Sequence, residues 1–151
     1  MDESQLNIEI KNMGYTPFKV IKEKANFYKL KDETIMKIFP VLNAVKLENT
    51  TNPTGANINA QNIVSVFVPK ELRGNPASQK YAHNDLVQSM DDDDVGFDIL
   101  YEDFNEYEIN GKWLLNVKTI LSQVGRAKLY NNVGEPIYVV NTSPVTKFKQ
   151  K

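Results

Sequence analysis

Apolar and polar positions alternate with a period of two along much of the chain, the mark of strands that bury one face. Between residues 18 and 30, Phe18, Val20, Asn26, Tyr28 and Leu30 share one face, and Lys19, Lys29 and Lys31 take the other. The pattern predicts a strand there, a turn opening at Lys31-Asp32, and a second strand over 34–47. The second strand is apolar on both faces, with Met36, Ile38 and Leu42 on one and Ile35, Phe39, Val41 and Val45 on the other. Such a strand is either central between layers or bent so that its inward face changes. Pro40 cannot donate to a ladder and favours a bulge or bend there. A polar loop (Asn49 to Asn57) and a third strand over 62–68 complete the unit.

The same unit occurs twice. Residues 97–124 overlay 18–45 at an offset of 79 without a gap. Phe18/Phe97, Glu23/Glu102, Asn26/Asn105, Tyr28/Tyr107, Leu42/Leu121 and Val45/Val124 are identical pairs, and further pairs exchange one aliphatic side chain for another. The register holds across two strands and a turn, which points to internal duplication. In the second copy Asn110-Gly111, a strong hairpin signal, separates the two strands. A two-residue insertion then sets 60–67 over 141–148, so the third strand falls at 137–148.

These elements predict a mainly β fold in which two copies of a hairpin plus return strand close into a six-stranded pseudo-twofold barrel or sandwich. The expected divisions are an N-terminal segment at 1–17, one repeat at 18–68, a linker at 69–96 and a second repeat at 97–148, with the repeats forming one intertwined domain. Leu6, Ile8 and Ile10 at period two suggest a short edge strand in the first segment. A short helix from His83 to Met90 is expected in the linker.

Composition narrows the function classes. With 151 residues, 41% apolar and 25% charged, the chain suits one globular domain. No apolar run approaches the ~18 residues of a membrane helix, and Met1-Asp2-Glu3-Ser4 leads into no apolar export signal, so a cytoplasmic location and no membrane partner are expected. The absence of cysteine excludes disulfides, thiolate metal sites and cysteine nucleophiles, and His83 is the single histidine. No cofactor is implied.

Candidate chemistry is sparse. Asp91-Asp92-Asp93-Asp94 begins a calcium-loop spacing that continues to Gly96 and Glu102, but Val95 stands where an oxygen ligand is needed. Such a run is ordinarily a solvated loop. His83 has no serine on a glycine-flanked elbow to activate. Glu102/Asp103 and Glu106/Glu108 fall on a predicted solvent face, and Trp113 reads as a large anchor at one end of the fold.

The charge pattern is more specific. Equivalent positions of the two first strands carry opposite signs: Lys19/Asp98, Lys24/Asp103 and Lys29/Glu108. These six residues form the candidate interaction surface, either as cross-strand pairs within one chain or as opposite edges that join copies head to tail. The expected function is a non-catalytic binding or assembly module, with a protein partner or a second copy as ligand. The alternatives are a small barrel binding single-stranded nucleic acid through Lys19, Lys22, Lys24 and Lys29, with Tyr28 as a stacking platform, and an enzyme with a carboxylate-based site.

Overall fold

A computed structural model describes residues 1–151. Nine strands occur in the order β1 (Phe18–Lys22), β2 (Asn26–Leu30), β3 (Ile35–Lys46), β4 (Asn57–Phe67), β5 (Met90–Asp92), β6 (Phe97–Tyr101), β7 (Asn105–Ile109), β8 (Trp113–Tyr130) and β9 (Pro136–Gln150). Helix α1 (Glu3–Asn12) precedes them, and α2 (His83–Gln88) lies in the connection between β4 and β5. The first sheet has the order β4-β3-β2-β6; the second runs β1-β7-β8, with β9 on the far side of β8 and β5 also paired to β8. All pairings are antiparallel.

Two expectations are corrected here. The strand count is nine rather than six, because 18–30 and 97–109 each break in the middle and the linker adds the short β5. After Lys22 the chain leaves the second sheet and enters the first as β2, while after Tyr101 it leaves the first sheet and enters the second as β7. Each first strand thus pairs with the other half of the chain: β1 with β7 and β6 with β2. Nor is there a closed barrel, since β4 pairs only with β3 and β9 only with β8.

The central strands bend as their two apolar faces suggest. In β3 the inward set Met36, Ile38 and Leu42 passes to Val45 across a bulge between Leu42 and Ala44. In β8 the inward set Leu115, Val117 and Leu121 passes to Val124 across a bulge between Leu121 and Gln123. A bulge adds one residue, so the alternation resumes on the same side of a bent strand. The return strands match at an offset of 82, since Pro40 faces Asn62 and Thr119 faces Pro144. The hairpin between these positions is therefore three residues longer in the second half rather than two, and the extra length lies in β8 and β9, since the loop itself is shorter.

Local chemistry explains the turns. Asn110 and Gly111 both take positive φ, 55° and 67°, as a two-residue hairpin demands. The first half lacks that dipeptide; Glu33 takes φ 75°, and Asp32 accepts the Thr34 amide at 3.0 Å. The N-terminal segment is a helix, not an edge strand. Asp2 caps it by accepting the Gln5 amide at 2.9 Å, the Gln5 side chain accepts the Asp2 amide in return, and Leu6 and Ile10 lie one turn apart. A short period-two pattern loses to a complete capping box.

The core joins the sheets in two clusters. Tyr28, Leu30, Met36 and Ile38 of the first sheet pack with Leu121 and Val124 of the second and with Val95; Leu42 and Val45 pack with Tyr107, Ile109, Leu115 and Val117. Each large aliphatic side chain buried in this way contributes about 1.5–3 kcal/mol. Edge-to-face rings extend the clusters, Tyr28 on Phe97 at 5.8 Å and Tyr107 on Phe18 at 5.9 Å. No helix is long and apolar enough to cross a membrane.

Candidate interaction surface

The crossing of β1 and β6 between the sheets decides where the six candidate charges fall. Lys19 on β1 lies directly opposite Glu108 on β7, and Lys29 on β2 directly opposite Asp98 on β6. Glu108 also receives Lys151 at 2.7 Å, Asp98 receives Lys31 at 3.2 Å, and Lys29 reaches Glu33 at 3.3 Å. Asp103 is held at 2.7 Å by Lys22, and Lys24 places its ammonium 6.0 Å from the centre of the Tyr101 ring. The hydrogen bonds from Lys22 and Lys151 hold the Asp103 and Glu108 carboxyls below the usual carboxylate range, while Asp103 raises Lys22. Each strand therefore has a counter-charge beside it in its own chain.

Beneath these charges the two crossing connections bond to each other in matching pairs. The Lys24 amide donates to Asn105 Oδ1 at 2.9 Å, and the Asp103 amide donates to Asn26 Oδ1 at 3.2 Å. Tyr28 donates its hydroxyl to Glu102 at 2.6 Å, and Tyr107 donates to Glu23 at 2.7 Å. Burial first, then the carboxylate acceptor, raises both phenols well above the ordinary tyrosine range. Tyr28 has 0% of its surface exposed. It cannot serve as a stacking platform for nucleic-acid bases.

The other sequence candidates are dispersed. Asp91 pairs with Arg126 at 2.8 Å, while Glu102, at the far end of the calcium-like spacing, accepts Tyr28 and lies 3.5 Å from Lys118. Arg126 also reaches Asp32 at 2.9 Å, and Tyr138 donates to the same carboxylate at 2.7 Å. Burial works to raise the Asp32 carboxyl, but the Thr34 amide, Tyr138 and Arg126 outweigh it and hold it below its ordinary value. His83 opens α2 on the surface. Trp113 donates to the Thr50 carbonyl at 3.3 Å and packs against the second core cluster.

Sequence reasoning missed the outward face of the first sheet. The register aligns Phe67 with Ile35, Ile63 with Phe39, Gln61 with Val41, and Phe27 with Tyr101. All point away from the buried set Tyr28, Met36, Ile38 and Leu42. Phe67 is 56% exposed and Ile63 49%. The second sheet presents Glu106, Glu108, Lys118, Lys147 and Lys149 among its outward positions. On that face Phe104 lies beneath the ammoniums of Lys118 and Lys147, 5.3 Å and 4.9 Å from its ring centre; the first half has Ala25 at the equivalent position. The signal was present in the double-sided apolar pattern of 34–47, but period alone does not say which face meets water.

No family model, curated protein or solved structure matches the chain.

Proposed function

We propose that this protein is a non-catalytic binding or assembly module that docks a protein partner on its first sheet. The observation that carries this function is the outward face of the first sheet, where half-buried Phe27, Ile35, Phe39 and Val41 and exposed Ile63 and Phe67 surround Lys37 and Ser65. Exposed apolar side chains gathered on one face of a folded domain mark an interaction site. Catalysis finds less support, because Glu102, Asp103 and Asp91 are engaged by Tyr28, Lys22 and Arg126 rather than converging on a cleft with His83. The nucleic-acid alternative loses its stacking platform, and Lys19, Lys22 and Lys29 lie beside Glu108, Asp103 and Glu33.

The test uses a fluorescent probe of exposed apolar surface, 8-anilinonaphthalene-1-sulfonate, on dilute native chain. Phe39→Ser combined with Phe67→Ser abolishes probe uptake while the melting temperature stays within a few degrees of the native one. Unfolding of that variant would show that these rings belong to the core, and unchanged uptake would remove the docking face.

The paired hydrogen bonds and bulges also support a duplicated origin with exchanged first strands. In this arrangement neither half completes a sheet alone. Separately produced halves, 1–79 and 80–151, are each unstructured and regain strand structure on mixing; a half that folds by itself would contradict the exchange.

A further inference from the structure

We propose that the free edge of β4 pairs antiparallel with β4 of a second copy of this chain, joining two four-stranded sheets into one of eight strands. This rests on the first sheet being the docking surface and names its partner. Strand β4 ends its sheet, so one side of its backbone has no strand beside it. An unpaired edge is a template for another strand unless it is short, charged, bulged or interrupted by proline.

The other edges carry such protection. Strand β1 has five residues with Lys19 and Lys22 and a register shift against β7; β6 has five, with Asp98 and a shift against β2. Strand β9 is long but contains Pro144, Lys147 and Lys149. In contrast, β4 runs for 11 residues from Asn57 to Phe67 with no charged residue and no proline. Absence of charge therefore leaves β4 open to a second copy of itself. Two copies of β4 set no like charges opposite each other in any antiparallel register, whereas self-pairing of β1, β6 or β9 brings lysines or aspartates together or places a proline in the ladder.

Two further features fit the same occupant. Ile63 and Val64, adjacent and hence on opposite faces, are 49% and 43% exposed, so the strand is wet on both sides. Beneath its C-terminal half lies an open groove lined by Val64, Val66, Ile137 and Tyr138. A strand added to β4 directs alternate side chains into this groove and the others onto the outward face beside Ile63 and Phe67. Because the contact is isologous, it closes at two copies and does not propagate as a filament.

Sedimentation equilibrium of the intact chain from low to high micromolar concentration tests the pairing. A monomer–dimer equilibrium is expected. Gln61→Lys, which removes no apolar surface and only an exposed hydrogen bond from Asn43, weakens it at least about tenfold by setting lysines on the joined edges. Ile63→Lys, a second independent variant, does the same, while Lys147→Glu on β9 leaves the dimer unchanged. A chain that stays monomeric throughout, a dimer that survives both β4 variants, or a mass that grows beyond two copies overturns the proposal. In the monomeric case, uptake of the apolar probe that is lost in the Phe39/Phe67 variant leaves the docking face standing for another partner. Absence of that uptake overturns the docking face as well.

Discussion

The two sheets share a strand plan and a bulge position, yet their outward faces differ in kind. Where the first presents Phe27, Phe39, Ser65 and Phe67, the second presents Glu106, Lys118, Lys147 and Lys149 at corresponding register positions, while Ile35, Val41 and Ile63 meet Leu114, Ile120 and Val145. The inward faces, in contrast, stay alike: Tyr28 and Tyr107 are each almost wholly buried and each bonded to a glutamate from the opposite connection. Packing constrains the inside of both halves to the same solution, because a buried phenol and carboxylate must find partners. The outside is free to diverge.

The sharpest way to break that contrast uses two neighbouring residues. Ile38 is fully buried and Phe39 points outward beside Ile63. Ile38→Ala is expected to cost about 2–5 kcal/mol in chemical denaturation, and Phe39→Ala less than about 1 kcal/mol despite the larger deletion. Equal losses would make the outward face a second core.

The hydroxyls of the paired tyrosines come next. Tyr107→Phe leaves Glu23 without its buried donor and is expected to destabilise by about 1–3 kcal/mol. Tyr28→Phe should cost less, because Glu102 keeps Lys118 at 3.5 Å. The same pair sharpens the comparison through pH. Both phenols have raised pKa values in the folded chain, so their contribution is complete below the ordinary tyrosine pKa of about 10 and is lost as pH rises above it. Denaturation midpoints at about pH 8 and about pH 11 should fall further for the native chain than for Tyr107→Phe. At the acid end, Asp32 is held below its ordinary value; its contribution is present above an ordinary aspartate pKa of about 3.9 and disappears as pH falls through the folded one.

The smallest effect belongs to the surface charges. Reversing Lys24 and Lys29 to Glu removes the ammonium beside the Tyr101 ring and sets like charge opposite Asp98. Because exposed pairs are screened, a fall in stability below about 1 kcal/mol, smaller still in high salt, is expected with no change in mass. A change of mass without a change of melting temperature would move the interaction surface to those edges.

Much of the architecture is legible in the sequence, and its gaps have physical causes. The hairpins, the bends in β3 and β8 and the linker helix follow from Asn110-Gly111, from double-sided apolar strands and from the Leu86/Val87 edge. The exchange of β1 and β6 does not follow, because alternation looks the same whichever sheet a strand joins. The exchanged ladders of β1 with β7 and β6 with β2, and the reciprocal bonds that Asn105 and Asn26 accept from Lys24 and Asp103, fix it. The opposite charges at equivalent positions were visible as a pattern, whereas their roles as neighbours depend on that exchange. The apolar face was hidden for a related reason: Phe39 and Val41 look like core until the inward face is assigned to Ile38 and Leu42.

Hydroxyl-radical footprinting of the chain at nanomolar and at high micromolar concentration measures both outward faces in one experiment. Docking on the first sheet predicts that Ile63 and Phe67 become protected as concentration rises, while oxidation of Leu114 and Ile120 on the second sheet stays constant. Labelling of Ile63 and Phe67 that does not change, or protection that appears on the second sheet instead, would contradict it.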